Sequence, residues 1–206
     1  VFFKGPLPLA FYLGNSLQNK KFYIGRWMND RYELLKIRAD GAKSERPLYV
    51  DFYELSKIKA DCDKYLEVIE EDADREGDPY VFDIYIAIGH HENLTSYDKR
   101  NVLDETPKRA SRRLIIKRKS EAGTSASQSS IEISDFANYA VCISNKIKSF
   151  CSSNKRCDAI NLFLNGPVEV FILLGYLFKP PPTVYLYHFI NPGDEGLYYS
   201  VLKLTK

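Results

Sequence analysis

The sequence predicts an α/β protein made of two pseudo-symmetric halves, with mainly parallel central sheets flanked by helices. Three observations lead there. "VFF" at residues 1–3 and "LFL" at 162–164 are apolar at every position, as a strand covered on both faces of a parallel sheet reads. Each runs into a Gly-Pro pair, Gly5-Pro6 and Gly166-Pro167, and then into a segment apolar around most of a helical circumference. The unit also recurs. Gly166 stands 161 positions after Gly5, and the same offset carries Gly14 onto Gly175 and Leu7, Leu9, Phe11 and Leu13 onto Val168, Val170, Ile172 and Leu174.

Helices are expected over 7–17 and 168–178. Pro6 and Pro167 suit the first helical turn, where a missing N–H forfeits no intrahelical bond. Gly5 and Gly166 let the backbone turn sharply out of the strand. After one extra loop residue, Phe22-Tyr23-Ile24-Gly25-Arg26-Trp27 lies over Val184-Tyr185-Leu186-Tyr187-His188-Phe189, and "YELLKI" from Tyr32 lies over "YSVLKL" from Tyr199. Each half thus continues strand, turn, strand. Between the copies, "PLYVDFYEL" is a candidate strand. Ser56 to Glu76 reads as a helix with Leu66 and Ile69 on one side and acidic residues on the other, ended by Gly77, Asp78 and Pro79. "YVFDIYIAIG" gives the strongest strand signal, rich in β-branched and aromatic residues and closed by Gly89. A polar loop from His90 leads to "RRLIIKRKS", a strand with basic flanks, and "EAGTSASQSS" is loop by composition. Ser134 and Asp135 are candidate caps for a helix to Ser152 whose apolar face is Phe136, Tyr139, Ala140, Ile143 and Ile147.

Composition excludes several classes. With 206 residues the chain can bury a full core without staples. The 29 basic and 27 acidic residues leave a net charge of +2, too little for a field that favours duplex nucleic acid or an anionic membrane over the whole surface. No apolar run is long enough to span a bilayer. Cys62, Cys142, Cys151 and Cys157 fit neither a zinc site nor a secreted disulfide framework, and read as free thiols in a cytoplasmic protein. Neither a phosphate-binding Walker loop, an HExxH pair nor a nucleophile elbow is present, so no catalytic residue, metal or cofactor is assigned. The abrupt start on a strand, without Met, is read as a fragment of a longer protein.

The stretch "INLFLNGPVEVFILLGYLF", followed by "TVYLYHF" and a Tyr-rich last strand, resembles the SAVED domain, a sensor module of bacterial CBASS anti-phage systems built as two fused CARF-like Rossmann halves. The fainter first-half copy agrees. Glu169 and the bulky Phe171 depart from the small residues usual at that helix start. The resemblance implies a single sensor domain over 1–206, with a first half at 1–78, incomplete at its N-terminus, and a second at 79–206. It further implies a receptor rather than an enzyme, which binds a cyclic di- or trinucleotide such as a cyclic GMP-AMP isomer. Binding would promote self-association and activate a fused effector, an HNH nuclease being the first candidate, with DNA touched only through that effector and no membrane involved. A ring nuclease and a ligand-free scaffold are the alternatives.

A cyclic oligonucleotide needs phosphate donors, flat surfaces for bases and polar groups for base edges. Lys4, Gly5 and Pro6 in one half and Asn165, Gly166 and Pro167 in the other stand where helix N-termini favour anions. Arg26 and Trp27 coincide with His188 and Phe189 under the repeat, offering a cation or a stacking ring at each strand end, although a core or interface anchor is the stronger reading of Trp27 and a surface Arg paired with a carboxylate accounts equally for Arg26. His90 and Tyr199 complete the candidates. His90 and His91 are adjacent and point to opposite faces of an extended chain, which disfavours a shared metal ion. The group Lys108, Arg109, Arg112, Arg113, Lys117, Arg118 and Lys119 reads as a solvated basic face.

Overall fold

The computed structural model describes residues 4–28, 31–34, 49–50, 52–72, 77–89, 110–119, 131–132, 135–154, 156–179, 181–190 and 197–205. In chain order the elements are α1 (Leu7–Ser16), β1 (Phe22–Tyr23), β2 (Gly25–Met28), β3 (Arg31–Leu34), β4 (Tyr49–Val50), α2 (Phe52–Ser56), α3 (Cys62–Tyr65), β5 (Leu66–Asp72), β6 (Asp78–Ala87), β7 (Ala110–Arg118), α4 (Phe136–Ser153), β8 (Ala159–Asn165), α5 (Val168–Leu177), β9 (Thr183–Ile190) and β10 (Leu197–Thr205).

Six strands form one sheet in the order β10-β9-β8-β6-β7-β5. The four central strands are parallel, and β5 and β10 close the edges in antiparallel pairing. This matches the predicted α/β class, a mixed sheet with parallel centre. It also explains the unbroken apolar text, because residues 81–88 and 159–164 are buried on both faces of the sheet. On one face Ile84, Ile86, Leu162 and Leu164 join α1, α4 and α5 in the main core. On the other, Tyr85, Phe163 and Tyr187 stack across three neighbouring strands with ring centroids 4.2 and 4.5 Å apart. That face also holds Asp83 and Asn161, paired in register on β6 and β8, where the Asn161 Nδ2 donates to Asp83 Oδ1 at 2.8 Å. Both are buried, so the bond replaces water that neither group can reach.

The repeat is visible where α1 crosses α5. A Cβ on Gly14 would collide with the Ile172 carbonyl and lie 3.0 Å from the Tyr176 nitrogen; one on Gly175 would collide with the Phe11 carbonyl and lie 3.0 Å from the Asn15 nitrogen. Phe11 and Ile172, Gly14 and Gly175, and Asn15 and Tyr176 are each separated by the offset between Gly5 and Gly166. Contacts that exchange partners in this way are the signature of a two-fold relation. Only glycine permits it, since any side chain would hold the helices apart. Around the crossing, Asn15 Nδ2 donates to the carbonyls of Gly175 and Phe178 at 3.3 Å each, and Phe11 meets Phe178 edge to face at 5.3 Å. Burying Phe171, Ile172, Leu173 and Leu174 of α5 stabilises the fold by about 1.5–3 kcal/mol per side chain.

Four expectations need correction. The predicted helix over 56–76 is absent. Short α2 and α3 are followed by β5, whose Glu70 and Glu71 pair across the ladder with Arg112 (3.3 Å) and Arg113 (3.0 Å). β-Branched Val68 and Ile69, registered against Ile116 and Ile115, favour the strand over a helix. The basic group is accordingly not a bare solvated face: Arg112 and Arg113 are paired, and Lys119 Nζ donates to the Asp63 carbonyl at 2.8 Å; Lys108 and Arg109 lie outside the described residues. Pro6 and Pro167 occupy the N-cap position, one residue before the first turn. Finally, Cys62 and Cys142 form a disulfide, leaving Cys151 and Cys157 as free thiols. A bridge across 80 residues restrains the unfolded chain by about 4 kcal/mol on the loop-entropy account, and the thiol argument for a cytoplasmic address loses its basis in that pair. No described helix is long and apolar enough to cross a membrane.

Candidate functional site

The order of strands sets where a ligand can enter. From β6 the chain goes to β7 on one side, then to β8 on the other and onward to β9, so strand order reverses between β6 and β8. Open α/β sheets bind ligands at the carboxyl ends of the strands beside such a reversal. Here those ends are Ala87 to Gly89 and Asn165 to Pro167. The Ile88 N–H donates to the Asn165 carbonyl at 2.9 Å, extending the pairing one step past the strands. Gly89 then lies so close that a Cβ there would sit 2.6 Å from Asn165 Oδ1 and 3.2 Å from Gly166 Cα. Gly166 has φ 157°, and a Cβ on it would strike Ile88 Cγ1 at 2.5 Å. At Gly166 the close approach of the two loops leaves no room for a side chain, and at Gly89 an added methyl would press on the Asn165 amide.

Backbone register places other candidates along this end of the sheet. His188 pairs with Leu164, next to Asn165, and with Tyr199 on β10; Phe189 pairs with Tyr198. Arg26 and Trp27 lie on β2, opposite Glu33 and Tyr32 in a separate two-stranded ribbon. Lys4, Gly5 and Pro6 are exposed ahead of α1, which packs on α5 and touches β8, β9 and β10. His90 lies outside the described residues, one position beyond Gly89. The structure therefore gathers Asn165, Gly166 and Gly89 directly, and His188 and Tyr199 by register. It does not bring Arg26 and Trp27 into the same sheet.

The two helix starts differ as anion sites. At α1, Pro8 has no N–H and the Leu9 N–H is taken by the Pro6 carbonyl at 3.0 Å, so few donors remain. At α5 the first turn carries Glu169, buried, whose carboxylate competes with any anion for the positive helix end. Lys4, exposed ahead of α1, carries a positive charge, and the Asn165 amide can both donate and accept. No group of three metal-ligating side chains occurs among the described residues.

Sequence reasoning missed a second feature. A cavity of about 590 Å³ opens at the other end of β8, lined by Phe52, Leu55, Ile147, Cys151, Cys157 and Ile160 among others. Its only textual signal is the pair of cysteines six residues apart.

No protein-family model matches the sequence, and no curated protein matches it. Solved structures do. The Acinetobacter baumannii Cap4 SAVED/CARF-domain containing receptor with the cyclic trinucleotide 2'3'3'-cAAA superimposes with a TM-score of 0.62 at 16% identity, covering 100% of this chain and 38% of that one. The same receptor with 3'3'3'-cAAA gives 0.60 over the same shares, and the structure named without a nucleotide gives 0.54, with 35% of its length covered. The chain thus spans under two fifths of these neighbours, and along that length its fold is similar to that of the SAVED/CARF-domain receptors.

Proposed function

We propose that this domain is a sensor for a cyclic oligonucleotide, which sits across the carboxyl ends of β6 and β8 and reaches the start of α1. The observation that carries the reading is the likeness, over the whole chain, to receptors solved with cyclic trinucleotides. The reversal of strand order beside Asn165 and Gly166 supports the placement. Lys4 holds a phosphate, Asn165 and Glu169 read base edges or ribose hydroxyls, and an aromatic among Trp27, Phe189 and Tyr199 stacks a base, with Arg26, His90 and His188 as further polar contacts. The neighbours' guests put a cyclic trinucleotide ahead of a cyclic GMP-AMP isomer. Binding promotes self-association and activates an effector in anti-phage defence; an HNH nuclease is one such effector.

A panel of cyclic di- and trinucleotides tests this by thermal melting and titration calorimetry. One member should raise the melting temperature and release heat at one site per chain, with the nucleotide recovered intact by chromatography. Linear products would make the domain a ring nuclease, and a panel with neither shift nor heat would leave a scaffold.

A further inference from the structure

The cavity at the amino-terminal end of β8 holds the two free cysteines. Cys151 is in the last turn of α4 and Cys157 in the segment leading into β8; both are half-buried, and the Cys157 thiol donates to the Ala159 carbonyl at 3.9 Å with the Cys151 sulfur beside it. Lys148, one helical turn before Cys151, and Lys179 line the same cavity, and no described carboxylate does. The remaining walls are mostly apolar, with Leu55, Ile160 and Phe178 among them. Cationic, partly enclosed thiols of this kind are the ones that exchange with disulfides, whereas thiols in purely apolar surroundings are inert.

We propose that this cavity is a thiol–disulfide exchange site for small disulfides bearing carboxylates, with Cys151 as attacking sulfur and Cys157 as resolving sulfur. The Cys151 thiolate attacks one sulfur of the reagent, forming a mixed disulfide and expelling the other half as a thiolate, which takes up a proton. Cys157 then loses its proton to solvent and attacks the Cys151 sulfur. A Cys151–Cys157 disulfide forms, the second half leaves as a thiol, and the reagent has been reduced by two electrons while the pair is oxidised by two.

The roles follow from the surroundings. The hydrogen bond from Cys157 pulls Cys151 below the ordinary thiol range, against the opposing effect of burial. Cys157 is pushed well above that range by the same bond, by burial and by the negative charge of Cys151 and Asp158. The carboxyl end of α4 is itself unfavourable for a thiolate, and Lys148 and Lys179, which line the same cavity, offer their charge to an anionic reagent.

The test exposes the intact protein to oxidised glutathione, with the neutral hydroxyethyl disulfide in parallel, followed by peptide mapping with mass spectrometry. The wild type should form the Cys151–Cys157 bridge, and Cys157→Ser should stop at a glutathione adduct on Cys151. Lys148→Gln with Lys179→Gln should slow the anionic reagent about tenfold at low salt and leave the neutral one unchanged. If Cys157→Ser unfolds, brief exposure of the wild type should still place the first adduct on Cys151. Equal reaction of Cys151→Ser and wild type, a first adduct on Cys157, or thiols inert in the folded protein would overturn the proposal.

Discussion

Gly14 and Gly175 each stand against the backbone of the other's helix, Gly14 against Ile172 and Gly175 against Phe11. Replacing glycine by alanine inside a helix ordinarily gains up to about 1 kcal/mol from propensity. Here the added methyl meets backbone that cannot rotate away, so Gly14→Ala and Gly175→Ala should each lose about 1–3 kcal/mol net. Urea denaturation should give similar losses for the two, because their surroundings are related by the repeat; a stabilised variant would contradict the crossing.

Gly89→Ala probes the crevice without touching the core. Its methyl would press on the Asn165 amide at 2.6 Å, a side-chain oxygen that can swing aside. Melting temperature should move by only a few degrees while affinity for the cyclic nucleotide falls about tenfold, or 1.4 kcal/mol. Calorimetry on the folded variant reads this directly. If Lys4 holds a phosphate as proposed, Lys4→Ala should give a comparable loss that shrinks as salt rises, because the residue is exposed.

Tyr65 predicts an alkaline limb to stability. Burial, and then the negative charge of Asp135, raise its phenol above the ordinary value of 10.0; its Oη donates to Asp135 Oδ1 at 3.2 Å and accepts from Asn138 Nδ2 at 3.1 Å. Above pH 10 the unfolded chain therefore releases this proton before the folded one does, and stability falls as pH rises from there through the folded value. Tyr65→Phe should flatten that part of the curve in urea titrations at successive pH. An unchanged slope would mean that Asp135 does not hold the phenol in solution.

Two polar pairs of unlike burial should differ in cost. Glu70→Gln loosens an ion pair that is half in water, and less than about 1 kcal/mol is expected. Asn161→Ala removes the amide that donates to Asp83 Oδ1 in the sheet interior, and about 1–3 kcal/mol is expected from the same denaturation measurement.

The Gly166-Pro167 turn was legible because its causes are local: a strand apolar on both faces, a glycine at a close approach and a helix apolar around its circumference each leave a mark within a dozen residues, while the expected first-copy strand at 1–3 lies outside the described residues. β5 was illegible for the opposite reason. Leu66 and Ile69 fit a helical spacing, and what decides for a strand is Ile116 and Ile115 on β7, whose register against Val68 and Ile69 no local window contains. The same distance hid the Cys62–Cys142 bridge. At the crevice, Asn165 and Gly166 could be read from the repeat. The pressure of Gly89 on them could not, since it arises from the pairing of β6 with β8 rather than from either strand's own sequence.

Helices that meet backbone to backbone have a fulcrum where others have an interlock. Pro6 lies as many residues ahead of Gly14 as Pro167 lies ahead of Gly175, so the two arms are equal, roughly 12 Å at the rise of an α-helix. The two helix starts thus stand at equal arm's length from the glycine crossing, so a tilt about that point would displace both by the same amount.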